Sequence, residues 1–411
     1  MTNKQTSYPR SKIKVLLLEN ISDSAVAEFK AHGYTDLKIV SGALSESELI
    51  KEIKDAHVVG IRSKTQLTEN VLAHAERLLA IGAFCIGTNQ IDLNAAARLG
   101  IAVFNAPYSN TRSVAELVLA LCVMLIRKIP DKNAAAHKGI WLKETKGSFE
   151  LRGKTLGIVG YGNIGSQVSS LAEAFGMEVI YHDIASKLPR GNVKQMRTLK
   201  DLLNNSDIVT LHVPSDPATK NLIDKAALGE MKEGSILINY SRGDVVDLDS
   251  LKESIESGKV SGAAIDVFPK EPEKTGNRFE SVLQNLPNVI LTPHIGGSTE
   301  EAQANIGLDV TAKLLTYLEL GSSNGSLTVP DVSLPQAVGT HRILHIHKNI
   351  PGVLGEINSK LSAENINILG QFLKTNEEIG YVILDVDTML SQKALQIMKE
   401  VKGTIKTRMI Y

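Results

Sequence analysis

Residues 154–183 read KTLGIVGYGNIGSQVSSLAEAFGMEVIYHD, and the spacing within them decides the fold. An apolar run, Thr155–Val159, ends at three glycines set G-x-G-x-x-G: Gly160, Gly162 and Gly165. Gly160 permits a tight turn, Gly162 lets backbone approach a pyrophosphate, and Gly165 lets the next helix pack on the strand. That helix, SQVSSLAEAF, offers unpaired N–H groups and the positive end of its dipole to phosphate. A second strand, MEVIYH, leads to Asp183, placed to accept hydrogen bonds from both hydroxyls of a ribose. A carboxylate there repels a 2′-phosphate, so NAD is favoured over NADP. A glycine-rich turn alone is a weak signal. One set between a strand and a helix, with an acid closing the next strand, is specific, and the competing reading is a unit of this shape that binds nothing.

The pattern extends outward on both sides. Upstream, short apolar strands KVLLLEN (14–20), LKIV (37–40), HVVGIRS (57–63), LLAIGAFCIG (78–87) and IAVFNA (101–106) alternate with amphipathic segments such as DLNAAARLG, which closes on Gly100. Alternation of this kind implies a parallel sheet with helices on both faces. An apolar helix from Arg112 to about Arg127 leads away, and a second βα series begins at Thr155. Further on, residues 319–339 are rich in Gly, Ser and Pro and read as a linker. Residues 340–411 then give strand, helix, two strands, helix and strand, the ferredoxin-like βαββαβ order. The expected architecture is two doubly wound α/β domains followed by a small α+β unit.

Composition excludes several function classes. With 45 basic and 45 acidic residues among 411, no global field favours nucleic acid or an anionic membrane, so an anionic ligand must meet a local cluster. Cys85 and Cys122 form neither a disulfide framework nor a metal set and suit a reducing cytoplasm. The start, MTNKQTSYPRSKIK, has no signal-peptide core, and the longest apolar stretch, VAELVLALCVMLI from Val114, is too short to span a bilayer.

Three more strand ends carry chemistry. GSILINYSRGDVVD (234–247) places Arg242 after one strand, GAAIDVFPKEP (262–272) places Asp266 and Glu271 after another, and NVILTPHIGG (288–297) places His294 after a third. The carboxyl ends of strands in an open parallel sheet form the ligand crevice. Oxidation of a secondary alcohol needs a group to take the hydroxyl proton as hydride leaves, and imidazole titrates near neutrality. Glu271 can fix the tautomer of His294 and stabilise its cation, while Arg242 can grip a substrate carboxylate with two parallel hydrogen bonds. Singly, Arg242 and Glu271 also fit surface ion pairs, and His294 fits an ordinary loop histidine.

Together, GIVGYGNIG, NYSRGDVVD, GAAIDVFPKEP and LTPHIGGST resemble the motifs of the D-2-hydroxyacid dehydrogenases, over nearly the whole chain. CIGTNQIDLNAAARLGIAVFNAPYSNTRSVAEL (85–117) and the C-terminal unit narrow the resemblance to the branch that oxidises D-3-phosphoglycerate at the start of L-serine synthesis. The resemblance implies catalytic Arg242, Glu271 and His294, and NAD contacts at Asn163, Ile164, Asp183, Tyr240, Ser241, Arg242, Asp266, His294, Ile295, Gly296 and Gly297. It implies a discontinuous substrate domain, residues 1–108 with 298–318, capping a Rossmann-type cofactor domain at 109–297, with substrate between them. It also implies a cytoplasmic homo-oligomer, expected to be a tetramer.

Arg62, Ser63 and Lys64 after one strand, and Asn110, Arg112 and Ser113 near a helix start, suit an anionic substrate. Two positions depart from the family pattern: Lys64, where arginine is usual, and Ser41, where a basic residue precedes GAL. Preference for a phosphorylated substrate over 2-oxoglutarate and 2-hydroxyglutarate therefore stays open. The C-terminal unit resembles an ACT sensor domain, whose serine site falls on His347 and Asn349 in HIHKNIPGVLGE and on Asn367 at the second strand of a facing subunit. Trp141, the only tryptophan, fits either the core or a pocket on a partner subunit. The competing functions are a glyoxylate, hydroxypyruvate or D-lactate reductase and a dinucleotide-sensing corepressor scaffold, and the sensor unit argues against both.

Overall fold

The computed structural model describes residues 8–272, 276–335 and 339–410. The elements of the first series are β1 (Val15–Leu17), α1 (Asp23–Ala31), β2 (Leu37–Ile39), α2 (Glu46–Ile53), β3 (Val58–Ile61), α3 (Glu69–Ala73), β4 (Ala80–Ala83), α4 (Leu93–Arg98) and β5 (Ala102–Asn105). Polar side chains start these helices: Ser45 and Glu48 form a capping box at α2, and Asp92 accepts the Ala95 N–H at α4. The strands form a wholly parallel sheet in the order β2-β1-β3-β4-β5, as the alternating pattern required.

The second series comprises α5 (Thr111–Ile126), α6 (Ile129–His137), β6 (Thr155–Val159), α7 (Asn163–Ala174), β7 (Glu178–His182), β8 (Lys194–Gln195), α8 (Leu199–Asn205), β9 (Ile208–Leu211), α9 (Lys225–Glu230), β10 (Ser235–Asn239), α10 (Leu248–Glu256), β11 (Val260–Ile265) and β12 (Val289–Leu291). These strands pair in the order β12-β11-β10-β9-β6-β7-β8, again parallel. Chain order reverses on the two sides of β6, which makes its carboxyl end the topological switch point. The apolar run from Val114 is buried as α5, whose Val118, Leu121, Cys122 and Leu125 pack with Ile158 and Val168. Among the described residues no helix is long and apolar enough to cross a membrane.

The last elements are α11 (Glu300–Leu320), β13 (Thr340–Lys348), α12 (Val353–Ala363), β14 (Ile368–Thr375), β15 (Ile379–Asp387), α13 (Ser391–Lys399) and β16 (Thr404–Ile410). The four strands make an antiparallel sheet, β14-β15-β13-β16. Alternation divides its faces. Ile343, Val382 and Leu384 pack on α12 and α13, while Leu344, Ile346, Tyr381 and Ile383 join a core with Ile306, Leu314 and Tyr317 of α11. Met1–Ser109 with Gln303–Tyr411 form one compact unit, and Asn110–Ala302 the other.

Two readings of the sequence change here. The stretch 319–339 is no loose linker: α11 runs to Leu320, and Ser323, Thr328, Val329 and Val332 are buried. Ser323 Oγ donates to Pro330 O at 2.6 Å, and Thr328 Oγ1 donates to Ile101 O at 2.7 Å while accepting Val103 N–H at 3.0 Å. Hydroxyls that satisfy backbone groups let a polar segment lie along the open edge of β5 instead of remaining solvated. Residues 336–338 of that stretch, like residues 1–7 at the start, lie outside the described residues. The second correction is small: Asn367 immediately precedes β14 and is not part of it.

Candidate active site

The glycine turn sits at the switch point. Gly160 adopts φ +91, and a Cβ there would strike the His212 carbonyl. A Cβ on Gly165 would overlap the Gly160 carbonyl, so both positions require glycine for packing. A Cβ on Gly162 would meet no protein atom within 4 Å, which leaves room for a ligand's phosphates against bare backbone. α7 opens there at Asn163 and Ile164 with no side-chain cap, so its first N–H groups stay available. The Asp183 carboxylate accepts Tyr161 N–H and Ala185 N–H, both at 2.8 Å. Those bonds fix its position and leave lone pairs for a ribose. The residues fit a dinucleotide.

His294 follows β12, and Glu271 follows the adjacent strand β11. His294 Nδ1 lies 2.9 Å from Glu271 Oε2. The Glu271 hydrogen bond raises the imidazole pKa above its ordinary value, against the opposing effect of desolvation. Burial would raise the Glu271 pKa, but the His294 contact and the Phe268 N–H, at 3.1 Å from Oε1, outweigh it and lower the net value. Both shifts favour an Nδ1–H that donates to an ionised Glu271. The His294 backbone is left-handed, at φ +55, an uncommon conformation outside glycine.

Asp266 explains why that conformation holds. It is 2% exposed, and its Oδ1 accepts Ile295 N–H at 2.8 Å and the Thr292 hydroxyl at 2.6 Å, while Oδ2 accepts Gly296 N–H at 2.8 Å. The His294 N–H donates to the Asp266 carbonyl at 2.9 Å. Tyr240 reaches the same network through Thr292, at 2.6 Å. A Cβ on Gly296 would approach both the Tyr240 ring and the Asp266 carboxylate, and one on Gly297 would overlap the Asn110 amide. Asn110 thus lies against the histidine loop, and Ser113 Oγ meets Thr299 Oγ1 at 2.8 Å beside it. The Arg242 loop has its own organiser: buried Asn239 accepts from the Ser241 amide and hydroxyl and donates to Arg242 O at 2.9 Å. Asn239 and Thr292 escaped the sequence reading, although Asn239 closes β10 directly before Tyr240 and Thr292 follows β12 two residues before His294.

In the other compact unit, Arg62 is half-buried and Ser63 and Lys64 are exposed after β3. Arg112 pairs with Glu116 one helical turn away, at 2.5 Å, which leaves it a weaker candidate for substrate. In the C-terminal unit, His347 is 3% exposed, its Nδ1 lies 2.8 Å from Lys348 O, and its Nε2 has no hydrogen-bond partner. Asn349 and Asn367 are exposed, and Asn349 donates to Asn376 O at 2.7 Å. Trp141 is 85% exposed, which rules out the core reading.

Residues 119–296 match the D-isomer specific 2-hydroxyacid dehydrogenase NAD-binding domain, and residues 343–407 match an ACT domain of the AHAS small-subunit type. D-3-phosphoglycerate dehydrogenase of Haemophilus influenzae is 51% identical over 411 residues, covering 100% of both chains. The Escherichia coli K12 enzyme of the same name is 51% identical over 99% of this chain and 100% of its own. Among solved structures, D-lactate dehydrogenase from Aquifex aeolicus, complexed with NAD and lactic acid, superposes with a TM-score of 0.66 at 28% identity. That match covers 77% of this chain and 100% of the other.

Proposed function

The chain belongs to the D-3-phosphoglycerate dehydrogenases, NAD-dependent D-isomer specific 2-hydroxyacid dehydrogenases with an ACT domain, and from that premise we propose how its own residues carry the reaction. NAD supplies the hydride acceptor when bound. With Nδ1–H engaged by Glu271, the lone pair of His294 lies on Nε2, which takes the proton of the substrate hydroxyl. In the reverse direction Nε2–H returns it. Glu271 fixes the tautomer and stabilises the imidazolium. The Arg242 guanidinium holds the substrate carboxylate with two donors. Arg62, Ser63 and Lys64 anchor the distal phosphate, and 2-oxoglutarate is a slower alternative substrate. The observation that carries this reading is the His294–Glu271 pair at 2.9 Å on neighbouring strand ends.

The functional limits we propose are those of the sequence: 1–108 with 298–318 for substrate, 109–297 for cofactor and 340–411 for effector. L-serine is the proposed feedback inhibitor, bound by His347 and Asn349 with Asn367 of the partner subunit. Support comes from the buried, unpartnered His347 Nε2 near the end of β13, ahead of the loop that leads to α12. Trp141, with exposed Ile140 and Leu142, is the proposed seat on a partner subunit of a cytoplasmic tetramer. One experiment tests the whole: kcat/KM for D-3-phosphoglycerate, D-lactate, glyoxylate, hydroxypyruvate and 2-oxoglutarate with NAD(H) and NADP(H), each with and without L-serine. The phosphorylated substrate with NAD should lead, and L-serine should lower its turnover. A lead for glyoxylate or hydroxypyruvate would favour the reductase reading.

A further inference from the structure

Glu19 is a buried carboxylate that the reaction does not use. It follows β1, is 7% exposed, and adopts left-handed φ +62, with Asn20 also left-handed at φ +51. Two such residues in succession persist only where the surroundings hold them. Here the hold comes from neighbouring loops at the carboxyl edge of the first sheet. The Glu19 N–H donates to Gly42 O at 3.3 Å in the loop after β2, beside Ser41. Its Oε1 accepts Arg62 N–H at 3.3 Å and Thr65 N–H at 2.8 Å, and its Oε2 accepts Lys64 N–H at 3.0 Å. From the other side, buried Gln90 donates through Nε2 to Arg62 O at 2.6 Å. The segment carrying Arg62, Ser63 and Lys64 is therefore clamped on both its donor and its acceptor groups.

Successive backbone N–H groups converging on one point make a nest that binds anions. In this chain the nest after β3 already holds an anion of its own. Three amides that could have met a substrate phosphate are engaged by Glu19, so recognition at this loop falls to its side chains. Their placement depends on the backbone beneath them.

We infer that Glu19 is a positioning residue for substrate recognition: it fills the amide nest after β3 and sets the backbone from which Arg62, Ser63 and Lys64 bind the phosphorylated end of the substrate. Gln90 assists from the opposite side. The inference rests on the assignment of this loop to substrate. Glu19→Gln is the sharpest probe, because its NH2 group would face an amide donor and at least one of the three bonds would be lost.

The test is steady-state kinetics of the full-length enzyme with 3-phosphohydroxypyruvate and with unphosphorylated hydroxypyruvate, for wild type, Glu19→Gln, Lys64→Ala and the double variant. Glu19→Gln should raise KM for the phosphorylated substrate roughly tenfold, the scale of one lost charge-assisted hydrogen bond. Its kcat, its KM for NADH and its kcat/KM for hydroxypyruvate should stay near wild type. Lys64→Ala should raise the same KM, and the double variant should fall short of the product of the two, because both act through one loop. If Lys64→Ala leaves that KM unchanged, the assignment of the loop to substrate fails. If Lys64→Ala raises it and Glu19→Gln does not, the positioning role is overturned. Equal losses of kcat for both substrates, with lowered thermal stability, would overturn it too, since they mark a role in folding alone. Should Glu19→Gln not fold, Gln90→Ala should give the same KM-specific change in milder form, and wild-type kinetics for it would count against the inference.

Discussion

At the carboxyl edge of the first parallel sheet, Glu19 accepts the amides of Arg62, Lys64 and Thr65; at the same edge of the second, Asp266 accepts those of Ile295 and Gly296. Both carboxylates are buried, and both hold a loop that follows a neighbouring strand. What the loops carry differs. The Asp266 loop presents His294, whose Nδ1 meets a second carboxylate and whose proton affinity is raised by it. The Glu19 loop presents the Arg62 guanidinium and the Lys64 ammonium. One anchoring device thus recurs under two loops, to which the proposed function gives different tasks: proton exchange at one and substrate anchoring at the other. Damage to the first anchor should appear in kcat, and damage to the second in KM.

The comparison is sharpened most by removing the titrating group itself. His294→Ala should lower kcat by about 10²–10⁴-fold, the usual range for a general acid–base group, while NADH affinity measured by fluorescence titration stays near wild type. Turnover close to wild type would return this histidine to the status of an ordinary loop residue. Next in size is Asp266→Asn, which leaves a buried N–H without an acceptor at a cost of about 1–3 kcal/mol. Its kcat should drop roughly tenfold or more with a lowered melting temperature, on that energy scale. A change in KM for the phosphorylated substrate alone would erase the distinction between the two anchors.

Asp183 is an intermediate case, a half-buried carboxylate that holds two backbone amides yet keeps capacity for a ligand. Asp183→Ala should raise KM for NAD and narrow the kcat/KM gap between NAD and NADP. Equal use of both cofactors by the wild type would contradict the role given to this carboxylate.

The parts of this site that could be read from sequence are those tied to fixed offsets. Gly160, Gly162, Gly165 and Asp183 follow one another within a single strand–helix–strand unit, and His294 and Glu271 follow within a few residues of recognisable apolar runs. The anchors were not legible in the same way. Glu19 lies more than forty residues from the amides it accepts, and Asp266 about thirty from its own, so neither leaves a local pattern. Asp266 drew attention only as a cofactor contact, and its main observed bonds are to backbone and to Thr292. The stretch after Leu320 shows the opposite failure. Its glycines and serines looked like a spacer by composition, but Ser323 and Thr328 direct their hydroxyls at backbone groups and bury the segment. Composition records polarity and gives no account of the partner each polar atom finds.

The most direct test of the account is the pH dependence of kcat/KM for D-3-phosphoglycerate oxidation, in wild type and in Glu271→Gln. Oxidation needs neutral His294, and the Glu271 hydrogen bond raises its pKa, so the wild-type acid limb should lie above the ordinary imidazole range. Replacing the carboxylate removes the largest cause of that rise. The acid limb of Glu271→Gln should therefore move to lower pH, and in the reductive direction its activity should fall away at lower pH than that of wild type. Superimposable profiles in both directions would contradict the claim that this pair is the acid–base centre.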